Sequence, residues 1–427
     1  MEHTTNLFIR KACKLNILIV SPFFPLPLKS GGHTRLFNII KRLSSRHIVD
    51  LISPITEKEK YCISELKEFC RNIISVDIDG IDVKNRRIIG GRNNLRRSFF
   101  RIGRLVKGVP LEVSGFYFFE LHDKLKELLS VYHYDIIQVE LSRMAQYFNK
   151  SFYKNNPSLK ILVDYDLSFI PHLRRYQCEK TPFAKLIRYI DYRMNRSYAL
   201  STWRLFDRFV VMSEVDRNKA LEFLPDLSIH VVPNGVDLSY FRLSPREGEE
   251  NRLLFLGGIR HFANVDALFY FLREIFPRVK ELVKDITLMV IGEGWESYSN
   301  QMAHDNSIKF TGFVEDIRPY VTTSSVLIAP IRIGGGTRLK ILEAFAMGVP
   351  VVSTSIGSEG IHVERGHHLL LADSPEEFAT EIGEIFSNRE LWNKLKENAY
   401  RLVEKNYSWD KLTSKMENVY EGITGAQ

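Results

Sequence analysis

Short apolar runs at residues 16–24, 49–55, 72–79, 135–141, 160–166, 208–213 and 229–233 alternate with longer stretches whose apolar positions recur at helical spacing. A second series follows at 252–257, 286–292, 308–312, 326–331, 349–354 and 368–372. These runs lack the in–out alternation of a half-exposed sheet, and the helical stretch after each predicts parallel strands covered on both faces. Each series suffices for its own doubly wound sheet. The expected class is therefore α/β, two Rossmann-like domains whose strand-end loops face a cleft. The stretch PNGVDLSYFRLSPREGEEN between the series is rich in proline, glycine and charge, as a connection between domains should be. The expected organisation is a first domain over 1–235, a linker over 236–250, a second domain over 251–406 and a terminal helix over 407–427. Trp409, Leu412, Met416 and Val419 give that helix an apolar face expected to pack back on the first domain.

The most informative segment is VLIAPIRIGGGTRLKILEAFAMGVP. It reads as a buried strand, the loop Gly334-Gly335-Gly336, and a helix opened by Thr337 as N-cap. Such a loop points bare backbone N–H groups and a helix dipole at one place, which attracts anions. Arg338 and Lys340 follow in the first turn, where cations oppose the dipole, so they make better sense with an anion between them. Glu343, three residues after Lys340, lies on the same side, where a carboxylate can accept hydrogen bonds from sugar hydroxyls. A plain glycine turn with a Lys340–Glu343 surface pair is the alternative. Further glycine turns follow other strands: Gly31-Gly32-His33, Gly257-Gly258-Ile259-Arg260, Gly292-Glu293-Gly294 and Gly312-Phe313-Val314. Together they argue for a phosphate-bearing ligand.

Composition narrows the classes. At 44% hydrophobic and 26% charged residues the chain reads as globular. No apolar run approaches the ~20 residues needed to cross a bilayer, and the first residues lack the apolar core of a secretory signal. Cys13, Cys62, Cys70 and Cys178 show neither metal nor disulfide spacing, so reduced thiols and a cytoplasmic location are expected. The net charge of +8 is uneven: Lys84, Arg86, Arg87, Arg92, Arg96, Arg97, Arg101, Arg104 and Lys107 occur with no acidic residue among them. With interleaved apolar residues, Lys84–Lys107 suits an anionic membrane surface, such as the inner face of the membrane, or equally a solvated loop. No nucleic-acid module accompanies the charge, so no nucleic-acid partner is expected.

PNGVD, FLGGIRHFANVDAL, VIGEG, FTGFVEDIRPY and IGGGTRLKILEAFAMGVPVVSTSIGSEG stand in the order and spacing of family 4 (group 1) glycosyltransferases, and the chain resembles them densely from Asp207 to Trp409. The resemblance implies a retaining enzyme of the GT-B fold, with a nucleoside diphosphate sugar as donor, a glycan or lipid-linked acceptor, and no metal or other cofactor. It implies that Glu343 grips the ribose and that Arg338, Lys340 and the backbone of Gly334, Gly335, Gly336 and Thr337 hold the diphosphate. Arg260 matches a phosphate-binding cation, and Gly258 and Gly292 line the donor loops. Phe313 and Val314 stand where backbone meets the nucleobase, Phe313 fitting a core position equally well. Gly31 and Gly32 would approach the diphosphate from the first domain. The sequence departs from the family in three places. Gly335 stands where the first acid of Glu-x7-Glu is usual, Asn264 lies near the place of a common lysine, and Tyr165 stands where many members have histidine. His33, taken as catalytic, or His172 is left for that last role. Asp77-Ile-Asp79 and Asp164-Tyr-Asp166 match Asp-x-Asp but read as strand-end carboxylates. A non-catalytic nucleotide-sugar-binding subunit and a GT-B-like epimerase or phosphorylase are the alternatives.

Overall fold

Both series of apolar runs form parallel strands, most of them shorter than the runs themselves. Strand β1 (Asn16–Val20) stops before SPFFPLP, because proline has no N–H for the ladder. It is followed by β2 (Ile48–Ile55), β3 (Asn72–Asp77), a short antiparallel pair β4 (Ile81–Asp82) and β5 (Arg87–Ile88), then β6 (Ile136–Glu140), β7 (Leu159–Val163), β8 (Arg208–Val211) and β9 (Ile229–Val231). The second series gives β10 (Arg252–Leu256), β11 (Thr287–Ile291), β12 (Ile308–Gly312), β13 (Val326–Ala329), β14 (Val351–Ser353) and β15 (Leu370–Leu371). A seven-stranded sheet has the order β3-β2-β1-β6-β7-β8-β9, and a six-stranded sheet the order β12-β11-β10-β13-β14-β15. The computed structural model describes residues 14–78, 81–82, 87–88, 94–148, 150–244, 251–295, 305–333 and 337–421.

The chain divides into two compact units, residues 1–163 with 205–207, and residues 164–204 with 208–427. In the first unit β6 is buried along its whole length, and helix α1 (Gly31–Leu43) buries Leu36, Ile39, Ile40 and Leu43. The buried Asp50 carboxylate is held by Nε and Nη2 of Arg71 at 3.1 and 2.5 Å, the Tyr134 hydroxyl at 2.7 Å and the Asn72 N–H at 2.9 Å. A buried charge persists only when its lone pairs are filled in this way. Helix α2 (Asn94–Val106) carries part of the basic segment. Arg101, Arg104 and Lys107 lie among the described side chains, and Arg104 stacks on Phe100 and Tyr117. The side chains of Lys84, Arg86, Arg87, Arg92, Arg96 and Arg97 lie outside them, as do Cys13, Asp79 and residues 245–250 of the expected linker.

The second unit contains α3 (Ile170–Cys178), α4 (Pro182–Trp203), α5 (Phe262–Tyr270), α6 (Leu339–Ala346) and α7 (Trp409–Glu421) among its helices. Its core runs from the β10, β13 and β14 side chains to Ile341, Leu342 and Phe345 of α6. The expected apolar face of α7 is buried at Trp409, Leu412, Met416 and Val419. Val236 pairs with Ser408 beside it, and the Arg208 guanidinium donates to the Val419 carbonyl. Among the described residues no helix is long and apolar enough to cross a membrane.

Candidate functional site

The site grows from the loop after β13, at the start of α6. Thr337 is not the N-cap: the chain stays extended through Arg338 (φ −83°, ψ 100°), and the helix begins at Leu339. Arg338 occupies the cap position without capping through its side chain, and the first turn contains no acidic residue. Among the described residues, the buried Thr337 hydroxyl oxygen has no hydrogen-bond partner. Gly360, at φ +88°, lies against it, since a Cβ there would stand 3.2 Å from Thr337 Oγ1 and 3.3 Å from Ser213 Cβ. Gly334, Gly335 and Gly336 lie outside the described residues.

The three charged residues of this segment are half-buried and do not form the plain surface pair that the sequence left open. Burial lowers the Arg338 pKa; Glu359, Asp166 and Asp216 nearby favour its charge, and Arg174 opposes it. Lys340 donates to the Leu256 carbonyl and, at 3.1 Å, to Asn264 Oδ1, with its ammonium 5.3 Å from the centre of the Phe255 ring. Burial, assisted by Arg338, pushes Lys340 down to about 7. Burial likewise pushes the Glu343 carboxyl up to about 7, against the pull of Lys340. Asn264 also donates to the Gly258 carbonyl at 3.1 Å. It therefore ties the loop after β10 to the lysine of α6.

Other expected ligand residues acquire structural roles. The loops after β10 and β11 cross closely: Gly257 donates to the Ile291 carbonyl at 2.8 Å and Ile259 to the Glu293 carbonyl at 3.0 Å. A Cβ at Gly292 (φ +157°) would strike the Gly257 carbonyl, and one at Gly258 would stand 3.0 Å from the Glu293 carbonyl oxygen. Backbone crossing alone thus accounts for both glycines. Arg260 is exposed and paired with Glu293. Phe313 is 70% exposed, so it is not a core residue, whereas Val314 packs on the core.

In the first unit Gly31 and Gly32 are not a loop before the helix but the first turn of α1, with Ser30 at the N-cap. His33 follows in that turn, its Nδ1 2.7 Å from Ser30 Oγ and its ring 4.6 Å from that of Phe23. Burial lowers its pKa. In the second unit, buried His172 places Nδ1 2.6 Å from Asp191 Oδ2. Asp164 accepts from Trp203 Nε1 at 3.2 Å. Among the described residues no group of three or more His, Cys, Asp or Glu side chains is arranged to hold a metal ion.

Sequence reasoning missed the residues around Arg338. Glu359 accepts from Arg174 at 3.2 Å and from Lys219 at 3.1 Å. Burial pushes the Glu359 carboxyl up, but these two cations outweigh it and hold the pKa below the usual value. Ser213 caps the helix that carries Asp216, its hydroxyl accepting from the Asp216 N–H and donating to the Asp216 carboxylate at 2.6 Å; burial raises the Asp216 pKa. The only local signal was an acid, Glu359, set in the glycine-flanked turn after β14.

Comparison with known proteins places this geometry. Residues 250–388 match the family model described as glycosyl transferases group 1. Over 418 residues, 94% of this chain and 98% of the other, the chain is 24% identical to an uncharacterized 44.6 kDa protein in the cps region of Klebsiella pneumoniae. Its fold is similar to that of a sucrose-phosphate synthase from Thermosynechococcus elongatus, with a TM-score of 0.67 at 14% identity over 97% of this chain and 100% of that one. It is also similar to Anabaena HepE, solved with UDP, with a TM-score of 0.66 at 13% identity over 96% of this chain and 100% of that one. The chain thus has the GT-B fold found in glycosyltransferase structures, and residues 250–388 are similar to the group 1 glycosyl transferases.

Proposed function

We propose that this protein is a retaining glycosyltransferase that moves a sugar from a nucleoside diphosphate sugar to an acceptor hydroxyl in cell-surface polysaccharide or glycolipid synthesis. The observation that carries this reading is the placement of Arg338 and Lys340, two half-buried cations at the positive end of α6. In the free protein they suffer desolvation, mutual repulsion and an opposing helix dipole, and burial lowers both pKa values. A diphosphate relieves all three. As the anomeric bond breaks, the leaving diphosphate gains negative charge, which cations already aimed at it stabilise without reorganisation. Arg338 offers a planar fork and Lys340 a point charge. The positive charge for this step is assigned to side chains, with no metal and no other cofactor.

Glu343 in its ionised form accepts the ribose hydroxyls, and the backbone of Gly334–Gly336 and Thr337 cradles phosphate oxygens. Phe313 and Val314 present backbone to the base, and Gly258, Arg260 and Gly292 border the donor. Gly31, Gly32 and His33 serve from the first domain, His33 on the acceptor side. The acceptor is a glycan or lipid-linked hydroxyl. The work takes place in the cytoplasm at the inner face of the membrane, with the basic residues of 84–107 toward anionic lipid and no nucleic-acid partner. The similarity to a protein of a cps region supports a part in polysaccharide synthesis, and the HepE structure with UDP supports a nucleoside diphosphate as leaving group.

The test is thermal unfolding against UDP, GDP, ADP and their common sugars, followed by transfer of labelled sugar from the nucleotide that binds. A ligand at 100 times its Kd stabilises by about 2.7 kcal/mol, a readily measured shift. Arg338→Ala is expected to abolish it. Equal shifts in wild type and Arg338→Ala would put the site elsewhere, and no shift with any nucleotide would overturn the reading.

A further inference from the structure

Four segments of the second unit converge beside Arg338, and they bring groups that the diphosphate does not use. Gly360, at φ +88°, packs on Thr337: a Cβ there would stand 3.2 Å from Thr337 Oγ1 and 3.3 Å from Ser213 Cβ. This close approach fixes the neighbouring Glu359 against the start of the Arg338 segment. Glu359 accepts from Arg174 Nη2 of α3 at 3.2 Å and from Lys219 Nζ of the helix Glu214–Leu221 at 3.1 Å. Burial lowers the Arg338 pKa, and of its neighbours Glu359 does most to keep it charged.

Two polar atoms of this cluster are left with nothing to bond. Among the described residues, the hydroxyl of Thr337, which is 7% exposed, and Arg174 Nη1 are buried without a hydrogen-bond partner. Such atoms cost a protein stability until something completes them. The Glu359 side chain beside them is 19% exposed, so an incoming group can reach it. A carboxylate, a hydroxyl and a guanidinium N–H together match adjacent sugar hydroxyls, each of which both donates and accepts. Charge narrows the class further. Arg338, Arg174 and Lys219 are set among Glu359, Asp166 and Asp216. Once a diphosphate takes Arg338, Glu359 and Asp166 match Arg174 and Lys219 even with Asp216 protonated. No cation is left over for an acidic sugar.

We propose that Glu359, with the Thr337 hydroxyl and Arg174 Nη1, binds the sugar of the donor through adjacent hydroxyls of a neutral hexose and so selects which sugar is transferred. The proposal rests on the reading of Arg338 as the diphosphate site, because the sugar is esterified to that diphosphate. The test is isothermal titration calorimetry of the full chain with UDP, GDP and ADP and with UDP-glucose, UDP-galactose, GDP-mannose, ADP-glucose and the corresponding uronates. Wild type should bind a hexose conjugate about tenfold more tightly than its uronate. Glu359→Gln and, separately, Thr337→Val should each weaken the hexose conjugate about tenfold and the free diphosphate by less than about twofold. Thr337→Val removes an unpartnered hydroxyl, so its ligand-free thermal unfolding should stay unchanged or rise. It keeps the test decisive if Glu359→Gln, which strips two cations of their acceptor, fails to fold. Variants that bind the hexose conjugate as wild type does overturn the subsite and leave the diphosphate site standing. Equal weakening of conjugate and free diphosphate also overturns it, marking a structural role, and a uronate bound as tightly as the hexose overturns the neutral class. Wild type that binds no nucleotide in either form overturns the donor reading and this proposal with it.

Discussion

Binding of a nucleoside diphosphate sugar is expected to exchange protons, and the direction of exchange should reverse near pH 7. In the free protein Lys340 titrates at about 7 and Glu343 at about 7. The bound state requires the opposite of what burial favours, an ammonium beside the diphosphate and a carboxylate beside the ribose. At pH 8 the free lysine is roughly 0.9 deprotonated and must take up that much proton, while Glu343 releases only about 0.1. The net is an uptake of roughly 0.8 proton. At pH 6 the roles invert, and roughly 0.8 proton is released. Affinity therefore rises with pH below 7, falls above it, and changes by somewhat under tenfold (about 1 kcal/mol) per unit on either limb.

Isothermal titration calorimetry in buffers of different ionisation enthalpy reads this exchange directly, using the sugar of the nucleotide selected by thermal unfolding, whose diphosphate is esterified at both ends and has no group that titrates in this range. Lys340→Met should erase the uptake limb, and Glu343→Gln the release limb. Binding that exchanges no proton at either pH, or exchanges in the same direction at both, would refute the placement of these groups against the ligand.

Other consequences follow from the packing. Glu359→Gln removes the carboxylate shared by Arg174 and Lys219 and should cost about 1–3 kcal/mol in urea unfolding of the second unit. Because the folded Glu359 pKa is depressed, this contribution is present above the usual carboxyl pKa and lost as pH falls through the folded value; curves that stay separated in acid would contradict it. Gly292→Ala forces a side chain into left-handed backbone and onto the Gly257 carbonyl, for an expected loss of about 2 kcal/mol or more; a wild-type urea midpoint would show that the crossing can open freely. Asp50→Asn leaves the Arg71 guanidinium and the Tyr134 hydroxyl without their anionic acceptor, and should cost about 3 kcal/mol of first-unit stability by denaturant unfolding. An unchanged midpoint would mean that the pair contributes nothing.

The strands were legible because a fully buried parallel strand writes itself as a continuous apolar run, visible without any knowledge of its neighbours. The start of α6 was legible only to within a residue or two. Thr337 has the better capping side chain, yet the chain stays extended through Arg338, so side-chain type and backbone path parted there. Gly258 and Gly292 were visible as glycines but not for their reason, because the sequence cannot show that two backbones cross where they stand. The Arg174–Glu359 and Lys219–Glu359 pairs join residues 185 and 140 positions apart, beyond the reach of any periodicity.

By itself, the sequence determined the α/β class and the two sets of strands, and it singled out Arg338, Lys340 and Glu343 as candidates. All of these depend on local spacing and residue type. Only the tertiary structure decided that Lys340 and Glu343 are buried deeply enough to titrate near neutrality, because desolvation depends on everything packed around a group.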